Sequence, residues 1–464
     1  MTDSNPGGTM TQAEGSGVKQ QSKKKQGKES AWRSEEPKDP IAMLSSLPEK
    51  KQQEIQRALH LFSLGQGLPR SLQAARNHKY HFWETQPVPR LDGADDGVMT
   101  HGPIIDAEGS VRTDPYSLPE GFRWDNLELS SQTVLRELCT LLSENYLEED
   151  DNTVRFDFSP EYLQWVLQPP NWSAQWHCGI RVVSSNKLVG FIAAVPAELL
   201  VYEAEKRMVQ VKFLCVHKKL RLKRMTPVLI RELTRRVNQQ GRYQAVYTTV
   251  AVLPTPLSSC RYWTRPLNPR KLMEVGHLGQ KRNMSLQRAV KVHRLPEVTK
   301  IPGLRPATKG DLEEIHSLLQ ENIRKFHLNT ILSLQEVEHW LLPRENVVDT
   351  YVVEELDGTL TGVVSFYSIF SRLLNQPVHT GLKAAHLLFV ISTATNLVDL
   401  MKDTLILAKS QKGCDIFSAH DVMDNSSFLK QLKFNVDDVS LHYYLYNWMC
   451  PKISPDKVGL VLPS

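Results

Sequence analysis

The chain lacks an apolar run long enough to cross a membrane, and it lacks any CxxC pair. The first absence excludes a helical membrane span. The second, with six cysteines scattered at Cys139, Cys178, Cys215, Cys260, Cys414 and Cys450, gives no reason to expect a zinc site or a disulfide framework. A reducing cytosolic setting fits best, and no secretory signal pattern opens the chain. Thr2 rather than glycine follows Met1, so the chain does not carry the N-terminal acylation motif itself. An excess of one charge is also missing. The net charge is +5 over 464 residues, so composition does not call for nucleic acid. Large apolar residues are nearly absent from residues 1–40, which predicts a disordered tail. Lys19, Lys23, Lys24, Lys25 and Lys28 cluster there without an intervening acid. They suit a solubilising tail, or a weak electrostatic tether to an anionic surface such as ribosomal RNA or lipid.

What remains is ordinary for a soluble globular protein, with 41% hydrophobic and 23% charged residues, and long enough for two or more domains. Order is expected from about Ile41. Ile55, Ala58, Leu59 and Phe62 share one helix face, and Gly65 and Gly67 stop that helix. Tyr80-His81-Phe82-Trp83, followed by Pro87 and Pro89, reads as an extended segment pinned against something apolar, either core or ligand.

The most informative stretch is Phe213 to Pro227. An apolar strand over Val209–Val216 breaks into five cations, Lys218, Lys219, Arg221, Lys223 and Arg224, and no glycine relieves the turn. Thr226 is placed to cap the following helix, Val228 to Val237, and Pro227 suits its first turn. A strand, a basic turn and a helix N-terminus bring amides, the positive dipole end and fixed cations to one place. Arginines suit a diphosphate because their planar donors bind it in pairs. By itself the stretch is equally a solvated basic turn.

A faint internal repeat carries the fold argument. Leu141-Leu142-Ser143-Glu144-Asn145 recurs as Leu318-Leu319-Gln320-Glu321-Asn322. The run Phe158 to Trp165 recurs in form as Leu332 to Trp340, and Cys178–Ala194, with Leu188-Val189-Gly190-Phe191, as Asp349–Ser365, with Leu360-Thr361-Gly362-Val363; the offsets at Leu141, Trp165 and Leu188 are 177, 175 and 172 residues. Each copy reads strand, helix, helix, hairpin. That predicts an α/β (α+β) unit with a mostly antiparallel sheet, present twice.

That order, with a strand, basic turn and helix after the hairpin, resembles acyl-CoA N-acyltransferases of the GNAT type. HKYHFWETQPVP, FLCVHKKLRLKR, TPVLIREL, CRYWTRPLNPRKL, EVEHWLLP and LHYYLYNW, with the ending VGLVL, together resemble the glycylpeptide N-myristoyltransferases from about residue 45 onward. The resemblance implies a monomer of two fused GNAT-like halves related by pseudo-twofold symmetry, with a saddle-shaped sheet. Residues 41–300 would bind myristoyl-CoA and 301–464 would supply most of the peptide groove. It implies transfer of a myristoyl group to an N-terminal glycine amine, with no metal and no cofactor beyond the acyl donor. By motif, Tyr80, His81, Phe82 and Trp83 fall at the acyl-CoA wall. Phe213 and Leu214, continuing into Cys215 and Val216, fall where backbone amides polarise the thioester carbonyl. Arg221, Leu222, Lys223, Arg224, Met225 and Thr226 form the phosphate turn. Thr248 falls near the attacking amine. Tyr146, the acidic run with Glu149 and Asp151, Tyr247, Tyr262, Ser371 and Asp438 fall around the peptide. The base implied is the chain's terminal carboxylate, here on Ser464.

The chain departs from that family's pattern in several places. Lys212 replaces an asparagine before Phe213, and a cation there repels an ammonium. Lys433-Phe434-Asn435-Val436-Asp437-Asp438-Val439 has lost three glycines, with β-branched Val439 the least suited to a positive φ. His81, Leu222, Thr226, the pair Thr249-Val250, Thr264 and His386 are further replacements, and Ser464 stands one residue past the usual end. These departures leave a second reading beside transfer: a chain that binds acyl-CoA or glycine-start peptides without turnover. A third is an acyltransferase with a shifted acyl chain or a lysine acceptor.

Overall fold

A computed structural model describes residues 68–90, 101–106, 111–146, 154–278, 285–374 and 376–463. All lie in the second of two compact units, residues 64–464. The expected tail and the helix around Ile55–Phe62 fall outside the described residues, as do Glu149, Asp151 and Ser464.

The main elements of the first half are β1 (Phe122–Asn126), α1 (Gln132–Asn145), β2 (Val154–Phe156), α2 (Pro160–Leu167), β3 (His177–Val182), β4 (Leu188–Val201), β5 (Ala204–Val216), α3 (Met225–Asn238), β6 (Ala245–Thr249) and β7 (Ser258–Pro266). The second half repeats that order with β8 (Leu304–Pro306), α4 (Leu312–Ile323), β9 (Leu328–Thr330), α5 (Leu334–Leu341), β10 (Val348–Glu354), β11 (Leu360–Leu373), β12 (Gly381–Ser392), α6 (Leu397–Ser410), β13 (Ile416–His420) and β14 (Asn435–Tyr446). A short strand, β15 (Val458–Gly459), follows. The repeat expected from sequence is therefore present, and more complete than the three matched segments.

Local chemistry fixes the equivalent starts. Ser159 accepts from the Tyr162 amide to begin α2, and Ser333 accepts from the Glu336 amide to begin α5, where Glu336 closes a capping box. These caps align the two helices at an offset of 174 residues, which sets Trp165 against His339 rather than Trp340. Helices α1 and α4 each bury one apolar stripe: Leu135, Leu138, Leu141 and Leu142 in α1, and Leu312, Ile315, Leu319 and Ile323 in α4.

The sheet runs β1-β3-β4-β5-β6-β14-β7-β13-β12-β11-β10-β8. Read from either end, it gives the same succession of counterparts, so a pseudo-twofold axis passes between β14 and β7. The halves exchange strands across that axis. β14 lies against β6, and β7 lies against β13. Off the main path, β2 pairs with β11 and β9 with β4. Neither half can satisfy its central sheet edge without the other, since an unpaired strand leaves a row of backbone groups exposed. One shared core results, with Leu163, Trp165 and Phe213 packed with Leu319, Tyr367 and Tyr443.

Each half also opens a fork. The parallel pair β5–β6 holds only through Val209–Ala245 and Gln210–Val246. Beyond it β5 stays on β4 while β6 stays on β14. The counterpart pair β12–β13 is likewise parallel and short, over Ala384–Ile416 to His386–Ser418. Just past each fork the outer ladder is bulged, between Phe191 and Ala193 against β5 and between Ser365 and Phe366 against β12.

Candidate functional site

The site begins at the first fork. Between the pairs Ala193–Lys212 and Phe191–Cys215, strand β5 carries Phe213 and Leu214 opposite a single residue of β4. Phe213 takes φ 52°, a left-handed conformation rare for an aromatic residue. Its ring is buried against Tyr146 and Phe158, with centroids 5.7 and 5.4 Å away, so packing holds the backbone there. Leu214 is 36% exposed while Cys215 is buried. A bulge leaves backbone amides outside the ladder, which is the donor arrangement an oxyanion requires.

The basic turn follows as a 3-10 helix, Lys218–Lys223, started by the His217 ring, which accepts from the Lys219 amide at 3.3 Å. Strand β5 starts earlier than sequence predicts, at Ala204, and helix α3 starts at Met225. Its N-cap is Arg224 at φ 54°, ψ 28°, with no side-chain cap. Thr226 is therefore not the cap. The 3-10 turn runs into the helix two residues sooner, leaving Thr226 and Pro227 as the second and third helical residues. Pro227 has no amide and the Val228 amide closes the first helical bond onto the Arg224 carbonyl, so the free donors of the first helical turn are those of Met225 and Thr226. Lys218, Lys219, Lys223 and Arg224 are exposed. Arg221 donates to the Asn145 carbonyl at 2.7 Å, and the Lys218 amide donates to the Asn145 side chain at 3.0 Å. The turn is thus docked on the C-terminal end of α1, where cations are favoured. Nearby, a cleft of about 310 Å³ is lined by Arg136, Glu144, Asn145, Lys187 and His217. In the second half the counterpart turn is Thr393-Ala394-Thr395-Asn396, capped by Asn396 and carrying no cation. Of the two equivalent forks, only the first carries a cationic turn.

The aromatic segment is not extended. It folds into a turn with a 3-10 helix at Trp83–Thr85, because the Glu84 amide returns to the Tyr80 carbonyl at 2.9 Å. Tyr80 is buried and donates to the Val252 carbonyl at 2.7 Å. His81 is exposed, and Phe82 lies under the Arg231 guanidinium of α3. Trp83 stacks on Tyr247 at 5.9 Å, and Tyr247 on Tyr444 at 5.2 Å. An acyl-wall residue and a peptide-side residue of the sequence reading thus meet in one stack.

Tyr146, Tyr262, Tyr162, Tyr367 and Tyr443 gather in the shared core, and burial holds every hydroxyl well above its usual pKa. Tyr162, Tyr367 and Trp340 were not legible as site residues, because they enter this cluster only through the pseudo-twofold packing. Thr248 sits on β6 opposite Tyr443, and Ser371 on β11 opposite Phe156 and Leu382. Asp438 and Val439 are exposed in β14, where the register against β7 slips between Val436 and Ser440. The positive φ of that loop falls at Lys433, 59°, and not at Val439. Val439 lies within the strand and has no positive φ, so it carries no left-handed strain.

Lys212 is the unexpected centre of this arrangement. It is 2% exposed, and its ammonium nitrogen donates to the Pro463 carbonyl at 2.5 Å and lies 5.9 Å from the Trp340 ring centroid. Burial holds its pKa well below the usual lysine value. The terminal segment it touches is seated by the Tyr443 hydroxyl, which donates to the Leu460 carbonyl at 2.8 Å, and by β15 on β9.

Known proteins share this plan. Family profiles described as Myristoyl-CoA:protein N-myristoyltransferase match residues 104–260 with the N-terminal domain and 274–461 with the C-terminal domain. The chain is 53% identical over 434 residues to glycylpeptide N-tetradecanoyltransferase 2 of Danio rerio, covering 94% of this chain and 86% of that one. It is 45% identical to the glycylpeptide N-tetradecanoyltransferase of Drosophila melanogaster, over 83% of this chain and 81% of that one. A crystal structure of Saccharomyces cerevisiae N-myristoyltransferase with bound myristoyl-CoA superposes with a TM-score of 0.79 at 35% identity, covering 83% of this chain and 99% of that chain. With both domains matched along most of its length and the exchanged-strand fold in place, the chain belongs to the N-myristoyltransferase family.

Proposed function

We propose that the chain transfers a myristoyl group from myristoyl-CoA to the N-terminal glycine amine of protein substrates. One observation carries this: of two equivalent forks, only the first joins a left-handed bulge at Phe213 to a cationic turn. In this reading residues 41–300 take the acyl-CoA and 301–464 supply most of the peptide groove. Phosphates sit on Arg221, Lys223, Arg224 and the first amides of α3. The Phe213 and Leu214 amides receive the thioester oxygen, worth about 2.7–4 kcal/mol per donor in comparable sites. Thr248 positions the amine, whose pKa of about 7.7–8.0 leaves much of it protonated near neutral pH. The Ser464 carboxylate is the base that the family pattern assigns. The acidic run with Glu149 and Asp151 favours a lysine or arginine a few residues into the peptide. We also propose a monomer working in a reducing cytoplasm, with the basic tail as a tether to ribosomes. Among the described residues no helix is long and apolar enough to cross a membrane.

The test is CoA release with myristoyl-CoA and a glycine-start peptide carrying a lysine near about position six. Turnover that disappears with an alanine-start peptide supports transfer. The second reading, binding without turnover, is favoured by buried Lys212 and predicts tight acyl-CoA binding with no product.

A further inference from the structure

The two forks carry matching rows of side chains with opposite chemistry. At the first fork, the last couple of the parallel ladder lies in the row Val195–Gln210–Val246–Leu445, across β4, β5, β6 and β14. At the second, the equivalent row is Tyr367–His386–Ser418–Thr264, across β11, β12, β13 and β7. The first row is apolar but for Gln210. Every side chain of the second can form a hydrogen bond. Two residues beyond Ser418, strand alternation returns His420 to the same face, opposite Tyr262 of β7. The rings lie close together, with centroids 5.1 Å apart for Tyr367 and His386 and 4.4 Å for Tyr262 and His420. Tyr367 and Tyr262 pack with the shared core, on the face that carries Thr248 opposite Tyr443 at the first fork. Phe417 and Ala419 point the other way, under α6.

This floor is reachable and carries an unsatisfied group. His386, Thr264 and Tyr262 are half-buried. His420 is 8% exposed, and its Nε2 atom is buried with no hydrogen-bond partner. A ring nitrogen in that state is costly, and a ligand group that bonds it removes the cost. Desolvation lowers His420 to about 4 and, with His420 beside it, His386 to about 3. Both rings are neutral near pH 7, each with one N–H and one lone pair. The hydroxyls of Tyr262, Thr264, Ser418 and Tyr367 also donate and accept. A charged side chain would lose its hydration here with no opposite charge in the row. An aliphatic one would leave Nε2 unsatisfied. A carboxamide presents a donor and an acceptor in one plane, and so can bond two neutral imidazoles at once.

We infer that the second fork is a subsite for a carboxamide side chain of the acceptor peptide, with His420 and His386 as the residues that determine this specificity. The inference rests on the peptide groove of the transfer reading above. Four strand spacings separate the forks along the sheet, through β6, β14, β7 and β13. At about 4.8 Å each they span about 19 Å, which an extended chain covers in about six residues. The asparagine or glutamine therefore stands about six residues from the acceptor glycine. Thr264 and His386 are both departures from the family pattern, so the preference belongs to this chain.

The experiment measures kcat/KM for the full chain, His420→Leu and His386→Tyr, with glycine-start peptides carrying asparagine, glutamine, serine or alanine at about residues five to seven. Myristoyl-CoA affinity checks folding, and calorimetry on the CoA-loaded protein gives the affinity of each peptide. Asparagine or glutamine at one of these positions is expected to raise kcat/KM about 10-fold over alanine, and above serine. That ratio should fall towards one in both variants. Because it is taken within each protein, a general loss of stability does not move it. A parent ratio near one at every position overturns the proposal and leaves transfer intact. So does a preference for serine, or a carboxamide preference that survives both substitutions. A parent that makes no product with any peptide overturns the transfer reading, and the affinity ratios of the same peptides then decide the subsite by the same criteria.

Discussion

Trp165 and His339 hold each other by reciprocal hydrogen bonds. The Trp165 indole donates to the His339 carbonyl at 2.9 Å, and the His339 ring donates back to the Trp165 carbonyl at 2.7 Å. The two residues occupy equivalent positions in α2 and α5, counted from the caps at Ser159 and Ser333. A residue bonded to its own counterpart marks the pseudo-twofold axis, as in an isologous dimer interface. The Trp340 ring packs edge-on against Trp165 at 5.1 Å and also faces Lys212. The axis therefore leads directly to the fork.

His339→Ala should lower unfolding stability by roughly 1–3 kcal/mol, since the Trp165 carbonyl loses its donor in a buried place. Urea unfolding of the two proteins at pH 7 checks this.

Acid should weaken the fold early. Burial lowers His339 and His420 to about 4 and His386 to about 3. As pH falls below about 6.5, the unfolded chain takes up protons that the folded one refuses, so stability declines by up to ~1.4 kcal/mol per pH unit for each histidine. The decline should persist to about pH 4, and His386→Phe should make it shallower. Unfolding series at pH 6.5, 5.5 and 4.5 would show the difference in slope.

Lys212 works in the opposite direction from a paired lysine. Its folded pKa is depressed, so the unfolded chain binds more protons between that value and about 10.4, and stability rises with pH across this window. Lys212→Met should be more stable than the parent near pH 7, with a gap that closes by about pH 10. Thermal melts at pH 7, 8.5 and 10 test the sign.

Gly459 lies on β15 directly under Phe326, and an added Cβ would meet that ring and its Cβ at 2.6–2.9 Å. Gly459→Ala should cost about 1–3 kcal/mol by overpacking. It should also reduce turnover more than acyl-CoA binding, because the segment it displaces runs on to Pro463 at the fork. Comparing kcat with myristoyl-CoA affinity in this variant separates the two effects.

Arg224 combines a left-handed backbone with an exposed guanidinium at the start of α3. Arg224→Gly should relax the backbone while removing one cation of the proposed phosphate turn, so melting temperature should hold or rise as CoA affinity falls. Titrations of CoA and of dephospho-CoA would report which phosphate is lost.

The sequence by itself determined the local units and their order. The strand, helix, helix, hairpin order of each half and the cation cluster are encoded by neighbours a few residues apart, and each appears where the sequence places it. Lys212 and Phe213 stood out through the family motif they occupy, Lys212 as a departure from its asparagine. The cap at Arg224 and the turn at Trp83 were misread for a local reason: the 3-10 geometry shifts a boundary by two residues without changing composition. Only the tertiary structure decided which strands are exchanged, that Tyr162, Tyr367 and Trp340 surround the fork, and that Lys212 meets Pro463. Those contacts join residues up to 251 positions apart. Their pairing is set by packing two halves around one axis, and no short-range pattern records it.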